Sequence, residues 1–112
     1  MMSEFIHKDL AAGRWFQMSL SEQLGNIGGE VYRAGKQQGK DQNLFNKAVD
    51  RALELFDLTL QDERWKGRLR EIGRARDVFC DAVLGGKEYG SNFKDMQKYF
   101  DYFGMAARLH VL

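Results

Sequence analysis

Apolar residues in this chain recur three and four positions apart almost from end to end, and proline is absent from all 112 positions. That period belongs to helices with one buried side; no stretch keeps the strict alternation of a half-buried strand. Without proline, only glycines and polar turns punctuate the pattern. The chain therefore reads as all-α, and its length suits one domain over 1-112 with a single core.

A short leading helix is expected over Glu4 to Ala12, with Ser3 to cap it and Gly13 to end it. Trp15, Phe16 and Met18 then read as a plug across one end of the core. Ser19 and Glu22 form a capping-box pair, followed by a stripe of Leu20, Leu24, Ile27, Val31 and Ala34. After a polar turn from Lys40 to Asn43, a second helix presents Phe45, Ala48, Val49, Ala52, Leu53, Phe56 and Leu60. Asp62 is placed to cap a third, whose stripe is Trp65, Leu69, Ile72, Phe79 and Val83, closed by Gly85 and Gly86. A fourth opens after Ser91 or Asn92 and carries Phe93, Met96, Tyr99, Phe100, Phe103 and Ala107. Rods of about 16 to 22 residues joined by short turns hide such stripes only against one another, which predicts an up-and-down four-helix bundle with a short extra N-terminal helix.

The segments SLSEQLGNIGGEVYRA (Ser19 to Ala34), RALELFDLTL (Arg51 to Leu60), RLREIGRARDVFCD (Arg68 to Asp81) and KYFDYFGMAARL (Lys98 to Leu109) together resemble a family of small prokaryotic helical proteins with no assigned activity. The resemblance spans most of the chain. It implies a compact, intracellular, all-helical protein and carries no site residues with it.

Charge and cysteine usage narrow the partners. Seventeen Lys and Arg against sixteen Asp and Glu leave a net charge of +1, so any affinity for polyanions must come from a local patch. The lone Cys80 can form no internal disulfide and no zinc site by itself. Glu4, His7, Lys8 and Asp9 interrupt the apolar residues of the N-terminus, which excludes a signal-peptide core, and no apolar run approaches the roughly 20 residues of a membrane span. A cytoplasmic protein without a membrane partner is expected.

Catalytic signatures are wanting. The small helical ribonucleases of the HEPN type need an arginine followed four to six residues later by histidine, but His7 has no arginine before it and His110 lies two residues after Arg108. A di-metal carboxylate bundle needs two Glu-x-x-His pairs, and Glu4 with His7 is the single one here, so no metal is expected. Gly35, Gly39 and Lys40 miss the phosphate-loop spacing by one residue, with Asp41 where Ser or Thr belongs and no strand before them. Cys80 lies beside the apolar stripe of its helix and reads as a small core residue. No catalytic residue and no cofactor is expected.

Three features remain. Counted from Trp65 at about 100° per residue, Arg76 falls near the middle of the third apolar stripe. A buried guanidinium stays charged, so it requires carboxylates such as Glu30 or Asp57, or else forms the floor of an anion pocket with Tyr99 or Tyr102 at its rim. Lys66, Arg70 and Arg74 stand at i, i+4 and i+8, a basic line able to track phosphates, although Asp62, Glu63, Asp77 and Asp81 flank it. Finally, Gly25, Gly28, Gly29, Gly35, Gly67, Gly73 and Gly104 sit inside helical patterns at a combined cost of about 6 kcal/mol relative to alanine. Either Gly28-Gly29 breaks its helix, or a partner helix packs on the bare surface, most simply from a second copy in a homodimer. The leading functional expectation is a non-enzymatic, self-associating bundle that binds protein. The alternatives are a nucleic-acid accessory using Lys66, Arg70 and Arg74, and a small anionic-ligand site around Arg76, Glu30, Asp57 and Tyr99.

Overall fold

The computed structural model describes residues 13–108, with the side chains of 102–104 and 106–108 set aside. The leading helix over Glu4 to Ala12, His7, His110 and the Tyr102 side chain fall outside this set. Four helices follow one another: α1 (Leu20–Gln37), α2 (Gln42–Gln61), α3 (Leu69–Val83) and α4 (Phe93–Arg108), with 3-10 turns at Arg14–Gln17 and Glu63–Arg68. There is no strand among the described residues, and none of their helices is long and apolar enough to cross a membrane.

The helix starts are chemically specified. Ser19 Oγ accepts the Glu22 amide while Glu22 Oε1 accepts the Ser19 amide, closing the expected capping box. Asp41 accepts the Leu44 amide at α2, and Asn92 accepts the Asp95 amide at α4. Val83 ends α3, and Gly85 and Gly86 turn the chain with φ of 107° and 77°, a region that other residues enter only with strain.

Neighbours in sequence are antiparallel neighbours in space, and α1 closes the ring against α4. The buried side chains form one core. A relay of rings crosses it: Phe45 to Phe93, Phe93 to Phe79, Phe79 to Phe56 and Phe56 to Phe100, each with centroids 5.8–6.0 Å apart. Edge-to-face and tilted contacts at this distance add to the burial of the rings themselves. The up-and-down bundle is thus the observed fold. On α2 the buried face is wider than its largest side chains suggest: Leu55 and Leu58 are buried and Leu53 and Leu60 only partly so, because α2 touches α1 and α3 and reaches α4 through its phenylalanines.

Two expectations are corrected. The third helix begins at Leu69 rather than after Asp62, because Asp62 caps only a 3-10 turn and Trp65 takes φ −102°, ψ 21°. In that position the Trp65 indole donates to Gln23 Oε1 at 2.9 Å. Nor does Gly28-Gly29 break α1, which runs unbroken through both. A Cβ at Gly28 would stand 2.6 Å from Phe100 Cβ, and one at Gly35 would stand 3.1 Å from Phe93 Cβ. At Gly28 and Gly35 the bare surface of α1 is therefore occupied by α4 of the same chain, whereas at Gly29, on the outer side where a second copy is expected beside Gly25, a Cβ would meet only Arg33 among the described residues.

At the Trp15 end the core is sealed by a buried polar knot. Trp15, fully buried, donates to Thr59 Oγ1 at 3.0 Å. Gln23, also fully buried, donates to Trp15 O and Asp62 Oδ2 and accepts from Trp65. Arg64 then pairs with Asp62 at 2.7 Å, donates to Met18 O and stacks over the Trp65 ring. The Trp15 indole and the side chains of Gln23, Thr59 and Asp62 thereby find partners, while the buried Ser21 hydroxyl beside them in the first turn of α1 has none among the described residues.

Candidate binding cleft

Of the four helix–helix seams, the one between α3 and α4 is open. A cleft of about 600 Å³ runs along it, lined by Gly67, Arg68, Arg70, Glu71, Arg74, Ala75, Val78, Ser91, Asp95, Met96 and Tyr99. The side of α3 that faces α4, with the last residue of the turn before it, explains the opening: Arg68, Glu71, Ala75 and Val78 recur at three- and four-residue steps, so two positions are charged and a third is a methyl group. Larger apolar residues there would close the seam.

Both ends of α3 are nevertheless held. The Asp62 knot fixes the 3-10 turn that leads into it. At the other end, the buried Asp81 carboxylate accepts the amides of Glu88, Tyr89 and Ser91 at 2.9, 3.1 and 3.3 Å and the Ser91 hydroxyl at 2.7 Å. The loop from α3 to α4 is wound around that one carboxylate, and Gly86 is obligatory in it because a Cβ would collide with the Ser91 carbonyl. The Ser91 hydroxyl and the surrounding amides hold the Asp81 carboxyl below the ordinary carboxylate range. Asp62 is lowered too, chiefly by the Arg64 guanidinium and against the opposing effect of its burial. A cleft braced at both ends does not need to form when a partner arrives.

The floor is apolar, from Ala75, Val78 and Met96, and the rim is cationic. Arg68 is paired with Glu71 at 2.7 Å, and Arg74 lies 5.6 Å from the ring centre of the exposed Tyr89. Arg70 has no ion pair or hydrogen bond among the described residues. Asp95 accepts from the Asn92 side-chain amide and keeps its charge, so Arg68, Arg70 and Arg74 outnumber the carboxylates of Glu71 and Asp95 in the lining by one. Burial pushes the Tyr99 phenol up, with Glu71 adding to the shift and Arg68 opposing it, so at neutral pH Tyr99 presents an O–H.

The residues expected to form a site are not brought together in one place. Arg76 donates to Asp57 at 3.0 Å, but the two side chains are 31% and 51% exposed, so this is a surface pair rather than a buried one. Counting from Trp65 displaced it: the buried line of α3 is Ile72, Ala75, Phe79 and Ala82, and Arg76 sits on its shoulder. Glu30 pairs with Arg33 on its own helix at 3.2 Å, and Tyr99 belongs to the α3/α4 cleft. A double-mutant cycle on Arg76→Met and Asp57→Asn is expected to return a coupling below about 1 kcal/mol; a value of 3 kcal/mol or more on this order would restore a buried pair. Of the basic line, Arg70 and Arg74 border the cleft, whereas Lys66 pairs with Glu63 at 3.5 Å away from it. Cys80 is half-buried, with Sγ 3.9 Å from Arg76 Nη1. Among the described residues no three His, Cys, Asp or Glu side chains group to hold a metal. Arg68 and Glu71 as cleft residues were missed, although their spacing to Ala75 and Val78 was the signal that could have found them.

Searches against protein-family models, curated proteins and solved structures find no match to this chain.

Proposed function

We propose that this chain is a binding protein whose α3/α4 cleft receives an acidic amphipathic helix from a protein partner. The observation that carries the reading is the open seam with both its ends tied. It offers an apolar floor, a rim of Arg68, Arg70 and Arg74, and Tyr89 and Tyr99 beside it. Arginine, tyrosine and methionine are the residue types that dominate the centres of protein interfaces. Residues 69–78 of α3 make a wall about 14 Å long at 1.5 Å per residue, enough for two to three turns of a docked helix. Carboxylates flanking the apolar side of such a helix would meet Arg70 and Arg74, where desolvated pairing is worth most.

The test is a titration of isotope-labelled protein with a helical peptide bearing a leucine face and glutamate flanks, and with its lysine-flanked counterpart. Amide shifts confined to α3 and α4, for the acidic peptide alone, are expected, and Arg70→Glu with Arg74→Glu should weaken binding at least about tenfold. Equal response to both peptides, or shifts centred on other helices, overturns the reading. Self-association enters the same test: a dimer that binds the acidic peptide in its α3/α4 cleft supports the reading, while a dimer that buries the cleft and excludes the peptide counts against it.

A further inference from the structure

A second surface lies on the adjoining seam, on the other side of α4. Where Gly35 lets α4 approach α1, a shallow groove of about 430 Å³ is lined by Val31, Tyr32, Gly35, Lys36, Phe93, Lys94, Gln97 and Lys98. Tyr32 and Lys36 are one turn apart on α1, as Lys94 and Lys98 are on α4. Because Gly28 meets Phe100 and Gly35 meets Phe93, the two helices run antiparallel in constant register. That register sets Tyr32 level with Met96, between Lys94 and Lys98 on the facing helix, and Lys36 level with Asn92, just beyond Lys94.

The charges here are uncompensated. No carboxylate lines the groove. Lys36, Lys94 and Lys98 make no ion pair among the described residues. The acids nearest in sequence point their contacts elsewhere: Glu30 pairs with Arg33, Asp95 accepts from the Asn92 side-chain amide and Asp101 from the Gln97 side-chain amide, and none of the three pairs with a groove lysine. Tyr32 is 52% exposed, and its ring lies 5.5 Å from the Lys36 ammonium. An exposed aromatic face with ammonium groups on both sides, one helical turn or about 6 Å apart along the groove, is what a single-stranded nucleic acid requires: a surface for one base and cations for the flanking phosphates.

We infer that the α1/α4 groove binds single-stranded nucleic acid, with a base stacked on Tyr32 and the backbone phosphates held by Lys36, Lys94 and Lys98. A duplex keeps its bases stacked inside and cannot use Tyr32, so it should bind more weakly. A lone nucleotide meets only part of the groove.

Fluorescence anisotropy with a labelled short oligothymidylate and its RNA equivalent tests this. Binding at about 50 mM salt is expected to weaken by about tenfold or more at 200 mM, the slope expected when about three phosphates are neutralised. Tyr32→Ala should weaken it by about fivefold or more through lost stacking, and Lys36→Ala with Lys94→Ala and Lys98→Ala should abolish it. All four positions are solvent-exposed, and circular dichroism will show that the variants fold. Four results overturn the inference: no binding at low salt, equal affinity for duplex of the same length, loss caused by Arg70→Ala and Arg74→Ala in place of the lysine changes, or binding to phosphatidylserine vesicles without binding to the oligonucleotides.

Discussion

Gly28→Val is expected to destabilise the fold by about 3 kcal/mol, while Gly29→Ala, one residue on, is expected to stabilise it by about 0.5 to 1 kcal/mol. The two glycines share a helix and opposite surroundings. A Cβ at Gly28 would lie 2.6 Å from Phe100 Cβ, an atom fixed to the α4 backbone, so relief requires the two helices to move apart. Such a movement would also loosen the contacts of Phe100 with Phe56 and of Phe93 with Phe45 and Phe79. At Gly29 the nearest atom is Arg33 Nη1 at 3.5 Å, an ordinary contact at the end of a flexible side chain. Alanine there recovers helix propensity with nothing displaced. Urea denaturation of the three proteins checks both signs; a Gly28→Val protein with parental stability would refute the close approach of α1 to α4.

Asp62→Ala is expected to cost about 2 to 3 kcal/mol. Its carboxylate is buried and accepts from the Gln23 amide, the Arg64 amide and the Arg64 guanidinium, so its loss leaves Gln23 with an unpaired buried donor. Arg64 is itself half-exposed, which places the effect below the range for a fully buried ion pair. The pH dependence has a definite sign. In the folded protein both Asp62 and Asp81 bind a proton less readily than an ordinary carboxyl group, whose pKa is about 3.9. Their contribution is therefore complete above that value and lost as pH falls through it towards the lower folded values. Thermal melts should be flat from neutrality to about pH 5 and fall below about pH 4, with a shallower fall in Asp62→Asn. An acid limb of unchanged steepness in that variant would deny Asp62 its part in it.

The course of the chain was readable where strong local signals coincide. Ser19 with Glu22, the Gly85-Gly86 stop, the start of α4 after Asn92 and the buried Trp15 all follow from residue chemistry acting over a few positions. The third helix was misread for a physical reason. A 3-10 turn advances three residues per turn rather than 3.6, so an angular count begun at Trp65 carries the wrong phase into α3. Alanines 75 and 82, which mark the true buried line, also contribute little to an apolar pattern. The cleft was hidden because it depends on a missing contact between helices, and a sequence records what each helix presents rather than how far its neighbour stands. Gln23 was hidden for a related reason: a buried amide is legible only once Trp15, Asp62 and Trp65 surround it.

The tightest pairing in the bundle joins its first and last helices, as in the contact of Gln97 with the Gly28 carbonyl, 69 positions apart. Closing so long a loop carries a large entropic cost that is recovered only when both partners are present. During synthesis α1, α2 and α3 emerge before α4, so the side of α1 that carries Gly28 and Gly35 waits uncovered until α4 has followed. The seam between α1 and α4 is thus a contact that local structure cannot complete in advance, and it joins the two helices farthest apart in the described chain.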